Sequence, residues 1–252
     1  YIKRINELDN KAPASVQLAL YDEVIRLMRR QTYWLARRGR GVDASHAANI
    51  DDVVATYQPG VDSLKTWVAD IISDHETQGV KARYETYVEE GAPEDLAMDV
   101  ARLRPLTSSS DVIDLALTQD WPLEAVARLY HAVGRRFSFD RLRGVGSQLS
   151  STLHWDRLAM RRLIEDLYAS QQTIVSAMIA HARKSGGQLS AGAEAPDGDW
   201  ASAVVDAWQT ENESEVDRAD GAVEELTNSG AWTLSKVAIA STQLRELAVQ
   251  GQ

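Results

Sequence analysis

Residues 91–178 read GAPEDLAMDVARLRPLTSSSDVIDLALTQDWPLEAVARLYHAVGRRFSFDRLRGVGSQLSSTLHWDRLAMRRLIEDLYASQQTIVSAM. This stretch decides the fold, because it punctuates itself into consecutive helices. Pro93 and Pro122 stand where a first helical turn favours a fixed φ and needs no N–H. Ser110 precedes Asp111 and an apolar-periodic run, as an N-cap does. Leu96, Val100 and Leu103 fall at i, i+4, i+7, and Val126, Leu129, Tyr130 and Val133 share a helical face in the same way.

Working outward, Pro13 opens a helix to about Arg38. Its stripe is Val16, Leu20, Val24, Leu27, Gln31, Trp34 and Leu35, and Gly39–Gly41 ends it. Asp43 or Ser45 caps a short helix through Val53, Val54 and Tyr57. Pro59 then opens a segment with Val61, Leu64, Trp67, Val68, Ile71 and Ile72, which continues to Val88 with a break near Gly79. The longest helix is expected from Trp155 to Lys184, on a stripe of Leu158, Leu163, Ile164, Leu167, Gln171, Ile174, Val175, Met178 and Ile179. Residues 185–199, SGGQLSAGAEAPDGD, have the composition of a linker. Two more helices follow, over 200–227 and 231–249, separated by Gly230. The first is poor in apolar residues over 210–220, where it is expected to fray or break. No alternating β-branched run argues for a strand. The expected fold class is all-α: a multi-helix bundle with a C-terminal helical hairpin after a flexible linker.

The order of these pieces carries a resemblance. A Gly-x-Pro-x-x-Leu-Ala helix (Gly91 to Ala97) is followed by Asp-Val-Ile-Asp-Leu-Ala (Asp111 to Ala116). A helix with Leu-Tyr-x-x-x-Gly (Leu129 to Gly134) comes next. Last is Trp-x-x-Leu-Ala (Trp155 to Ala159), running into Glu-Asp-Leu-Tyr (Glu165 to Tyr168). Together with VQLALYDEVIRLMRRQTYWLARR (residues 16–38), the set resembles the C-terminal helical region of the large bacterial NAD-specific glutamate dehydrogenases. The resemblance spans most of residues 1–180. It implies a parent enzyme that deaminates L-glutamate oxidatively to 2-oxoglutarate and ammonium, with NAD as cofactor. The dinucleotide-binding motif and catalytic lysine of that family lie upstream, so no catalytic or cofactor-binding residue carries over to this chain. On this reading residues 1–40 are a lead-in helix from an upstream catalytic domain, 41–184 a helical bundle, 185–199 the linker and 200–252 an acidic helical hairpin. The competing reading is an independent helical adaptor with no enzymatic parent.

Composition sets limits. The chain has 252 residues, 44% hydrophobic and 25% charged, ordinary values for a globular protein. It begins at Tyr1, as a fragment or processed product would. It has no cysteine, which rules out disulfides and thiolate metal sites and fits a reducing compartment. With neither a membrane span nor a signal core, the expected location is the cytoplasm. The net charge of −10 is uneven. Residues 1–40 hold nine Lys/Arg against four Asp/Glu, and residues 186–252 hold three against twelve. An acidic chain is a poor partner for nucleic acid, whereas a basic lead-in and an acidic tail complement each other or a neighbouring subunit. The expected partners are the catalytic domain of the same polypeptide and neighbouring subunits of a homo-oligomer.

Motifs for chemistry are sparse. Gly144-Val145-Gly146 lacks the third glycine and the preceding strand of a dinucleotide loop, and reads as a helix-ending loop. The histidines His46, His75, His131, His154 and His181 share no metal-ligand spacing. Adjacent Glu165 and Asp166 point about 100° apart on a helix and fit surface ion pairs with Arg161 and Arg162. Asn212-Glu213-Ser214 is a chance glycosylation match. Two sets remain as candidate partner contacts. One is arginine-based: Arg29, Arg30, Arg37 and Arg38, within a run that also holds Arg26 and Arg40; its plainer reading is a solvated face. The other is Trp200, Trp208 and Trp232 in the weakly patterned tail, where aromatics anchor either an interface or a local core. Trp34, Trp67 and Trp155 are expected in the core.

Overall fold

A computed structural model describes residues 1–8, 12–39, 50–72, 74–149, 153–185, 194–196 and 199–251, with the side chains of 37–39, 50, 74 and 75 outside the description. Among the described residues there are twelve α-helices, one 3-10 turn and no strand. The all-α expectation therefore holds. The helices divide into two compact units, residues 1–113 and 114–252, with the boundary inside one helix.

The first unit contains α1 (Ile2–Asn6), α2 (Ala14–Gly39), α3 (Ile50–Ile71), α4 (Asp74–Glu89), α5 (Glu94–Ala101) and a 3-10 turn (Pro105–Ser108), and it shares α6 (Ser109–Gln119). α2 buries Val16, Leu20, Val24 and Trp34, close to the expected stripe, and packs on α1, α5 and the 3-10 turn. Pro59 departs from expectation. It lies inside α3 instead of opening a helix. The helix runs through because Tyr57, Leu64, Val68 and Ile71 fall on one buried face on both sides of it, and that burial outweighs one lost N–H donor. The next residue, Gly60, allows a close approach: a Cβ there would lie 2.8 Å from Cγ1 of Ile113. The chain breaks after Ile71, not at Gly79, which sits within α4.

The second unit contains α7 (Leu123–Arg136), α8 (Phe139–Gln148), α9 (His154–Lys184), α10 (Trp200–Glu211), α11 (Glu213–Asn228) and α12 (Leu234–Gln250). α9, with 31 residues, is its spine and packs against α7, α8, α10 and α12. Leu167, Gln171, Ile174, Val175, Met178 and Ile179 of α9 are each 0% exposed. Gly144 and Gly146 lie inside α8, not in a loop. A Cβ on Gly146 would come within 3.0 Å of Sδ of Met160 on α9, so this glycine lets two helices close on each other. The tail holds three helices, since the expected helix over 200–227 breaks at Asn212. There the Asn212 side-chain amide donates to the Trp208 carbonyl at 2.8 Å, satisfying an end carbonyl of α10.

Candidate functional site

In a helical fold, side chains converge where several helices meet, and here the convergence is built on arginine. On α2, Arg26 bonds Asp22 one turn earlier at 2.9 Å. Arg30 donates to Asp111 on α6 at 2.7 Å, with only 9% and 3% of the two side chains in water. Arg30 is thus engaged inside its own unit and is not offered to a partner. Arg29 is exposed; the side chains of Arg37 and Arg38 lie outside the described residues, as does Arg40. Beside this row, Arg104 grips buried Glu23 through Nε at 2.9 and 3.1 Å and through Nη2. That hydrogen bond holds the Arg104 pKa above its usual value. Arg83 donates twice to the Ala101 carbonyl at the end of α5, at 3.3 and 2.9 Å. Burial, and then the like charge of Arg104, pull the Arg83 pKa down.

The tail tryptophans sit differently from one another. Trp208 is 2% exposed, meets the Phe137 ring edge-on at 6.2 Å, and donates from Nε1 to the Gly251 carbonyl at 3.2 Å. It belongs to the chain's own core. Trp200 is half-buried against Trp121, with ring centroids 5.6 Å apart, and Trp232 is half-buried. The thin stripe of the tail is therefore completed by α7 and α9 of the same unit, against which α10 packs, while α12 also lies on α9.

A polar cluster that the sequence pattern concealed lies where α7, α8 and α9 meet. Arg143 pairs with Asp140, donates to Gln171 Oε1 at 2.6 Å, and lies 4.3 Å from the Tyr168 ring centroid. Gln171, counted above with an apolar stripe, donates in turn to the Tyr130 carbonyl at 2.8 Å. Burial, the largest single influence, works against the Arg143 charge, but Asp140, Tyr168 and Tyr130 together more than offset it, and the guanidinium pKa is raised overall. The glycine of Leu-Tyr-x-x-x-Gly makes room for this cluster. A Cβ on Gly134 would lie 2.6 Å from Asp140 Oδ2 and 2.9 Å from Gln171 Nε2. Glu165 is also buried, at 5% exposure, in place of the expected surface position. Arg143, Asp140 and Gln171 thus bind one another and the Tyr130 backbone between packed helices, with Asp140 Oδ2 buried and without a hydrogen-bond partner of its own, which fits a structural core more than a site open to a ligand.

Two apolar faces point the other way. On α2, Leu18, Tyr21, Ile25, Met28 and Thr32 repeat at alternating steps of three and four, the spacing of a helix–helix seam. Leu18 is 70% exposed, Ile25 38% and Met28 52%. This second seam was missed in the sequence because the buried stripe beside it accounts for the periodicity. On α9, Trp155 is 77% and Leu158 38% exposed, which corrects the expected core placement of Trp155.

Among the described residues no group of three or more His, Asp or Glu is placed to hold a metal ion, and no helix is long and apolar enough to cross a membrane. His181 instead faces Glu211, with Nδ1 3.1 Å from a carboxylate oxygen.

The pattern of the family described as "Glutamate dehydrogenase, C-terminal" matches residues 1–246. An NAD-specific glutamate dehydrogenase of Pseudomonas aeruginosa is 27% identical over 253 residues, covering 100% of this chain and 14% of that protein. Another, from Halomonas elongata, is 24% identical over 177 residues, covering 70% of this chain and 11% of that protein. The chain thus spans a small part of the length of these relatives.

Proposed function

The chain belongs to the glutamate dehydrogenase C-terminal family, and from that premise we propose that it is a noncatalytic helical region of an NAD-dependent glutamate dehydrogenase. The parent converts L-glutamate to 2-oxoglutarate and ammonium with NAD, in the cytoplasm, through a catalytic domain elsewhere in the polypeptide. This region contributes contacts with that domain and with neighbouring subunits, supporting folding, assembly or positioning. The reading as an independent adaptor loses ground to a family match that covers nearly the whole chain.

The observation that carries this reading is the second seam of α2. A helix that buries one stripe in its own unit and presents another at seam spacing, with Leu18 70% exposed, is suited to receive a further helix. The test is the full-length parent with Leu18, Ile25 and Met28 all replaced by serine. The expected result is a lower assembly state or a melting temperature lower by several degrees, with substrate and cofactor preference unchanged. Unchanged assembly, stability and turnover would refute the role. Calorimetry of the 252-residue chain with NAD is expected to show no saturable binding, and a saturable isotherm would overturn the noncatalytic assignment.

A further inference from the structure

We propose that the exposed seam of α2 pairs antiparallel with the same seam of a second copy of this chain, about a two-fold axis. This rests on the contact-region reading above and adds the identity of the partner: a neighbouring subunit, not another part of the same polypeptide.

In heptad terms Leu18, Ile25 and Thr32 take position a, and Tyr21, Met28 and Leu35 take position d. The seam has the same spacing read from either end. Laid against a reversed copy, Leu18 meets Leu35, Tyr21 meets Thr32 and Ile25 meets Met28. Each contact then occurs twice, once in each direction, which is what a two-fold interface requires. Leu18, Ile25, Met28 and Thr32 are exposed, and Tyr21 and Leu35 are half-buried, so each layer can form without unpacking the unit's own core.

The flanks of the seam decide the direction. Position g holds Gln17, Val24 and Gln31, and these face their own unit. Val24 is 5% exposed, while Gln17 donates to the Ala12 carbonyl at 3.0 Å and Gln31 to the Thr107 carbonyl at 3.4 Å. A parallel partner would set this uncharged g flank against position e. A reversed partner sets e beside e. Position e holds Asp22 and Arg29, opposite in sign, one heptad apart and both exposed. In the reversed register, Asp22 of each copy comes beside Arg29 of the other, giving two ion pairs related by the axis. Asp22 already bonds Arg26 on its own helix at 2.9 Å, with 63% of its side chain in water, which leaves it room for a second guanidinium. A surface that complements itself in both its apolar layers and its charges singles out a second copy as the occupant. Any other partner would have to supply the matching pattern independently.

The test is mass photometry of the full-length parent on dilution. D22R or R29D alone sets like charges opposite each other at two symmetric places. Each is expected to raise the apparent dissociation constant of the assembly by a factor on the order of ten. The double variant D22R/R29D restores opposite signs. Co-expression of the two single variants does so too, because an all-basic flank then faces an all-acidic one. Both are expected to recover most of the lost assembly. Single variants that assemble like the unaltered parent overturn the proposal. A loss that neither the double variant nor co-expression recovers assigns the seam to a different surface, and overturns the second copy. Recovery in the double variant but not on co-expression overturns the antiparallel pairing. The reading beneath fails separately. Serine at Leu18, Ile25 and Met28 without effect sinks the seam as a whole, whereas an effect there with no charge recovery here sinks only the two-fold pairing.

Discussion

In residues 1–113, Arg4 reaches from α1 to Asp99 and Asp95 at 2.6 and 2.7 Å, with 39% of its side chain in water. In residues 114–252, Arg143 pairs with Asp140 on its own helix α8 and reaches Gln171 on α9, with 10% of its side chain in water. The bonds are alike in chemistry and unlike in surroundings. Around Arg4, water screens the charges and would solvate Asp99 and Asp95 readily if the arginine were lost. Around Arg143, packed helices exclude water, so every partner depends on the guanidinium being there. An arginine's contribution to this fold follows its exposure more than its bond lengths.

The largest effect that would sharpen this contrast is expected at Arg143. Replacing it with methionine leaves Asp140 charged beside a packed interior and should cost about 3 kcal/mol or more, read as a lower urea midpoint. Removing the carboxylate as well, in Arg143→Met with Asp140→Leu, should recover much of that loss. If the double variant is no better than the single, the cost is one of packing and the electrostatic contrast fails. Trp208→Ala removes a 2% exposed indole and should cost about 3 kcal/mol, with near-ultraviolet dichroism reporting the lost ring. A smaller cost, about 1–3 kcal/mol, is expected of Gly134→Ala, whose Cβ meets two buried polar groups. A cost below about 0.5 kcal/mol would mean that the Asp140 cluster gives way easily, contrary to a rigid core. The smallest effect belongs to Arg4→Ala, at about 0–1 kcal/mol and fading with added salt. A loss as large as that of Arg143→Met would erase the distinction between the two units.

Much of this fold was legible because helical periodicity records burial. The α9 stripe from Leu167 to Ile179, the proline-led starts of α5 and α7, and the end of α2 at Gly39 all follow from local rules. Pro59 misled, because a proline that looks like a helix start locally is tolerated when both flanks share one buried face. Gln171 misled in the opposite sense: its place in the stripe was right, but its partners Arg143 and Tyr130 lie 28 and 41 positions away. Trp155 shows the further limit. Hydrophobicity places a tryptophan against something apolar, but does not say whether that surface belongs to the same chain. The contact candidates divided along that line. Arg30 and Trp208 turned inward, Arg29 stayed in water, and Trp200 and Trp232 stand half-buried.

The bond from Trp208 to Gly251 joins residues 43 positions apart, and this separation sets a timetable. On a ribosome adding about 5–20 residues per second, the interval between the two is on the order of 2–9 s. Throughout it, the tryptophan has been made but the backbone carbonyl that receives its N–H has not. The face of α9 that α12 will cover waits in the same way. The second unit thus matures only as its last helix arrives, and a nascent chain halted before α12 presents the spine of the unit to whatever chaperone or protease is near.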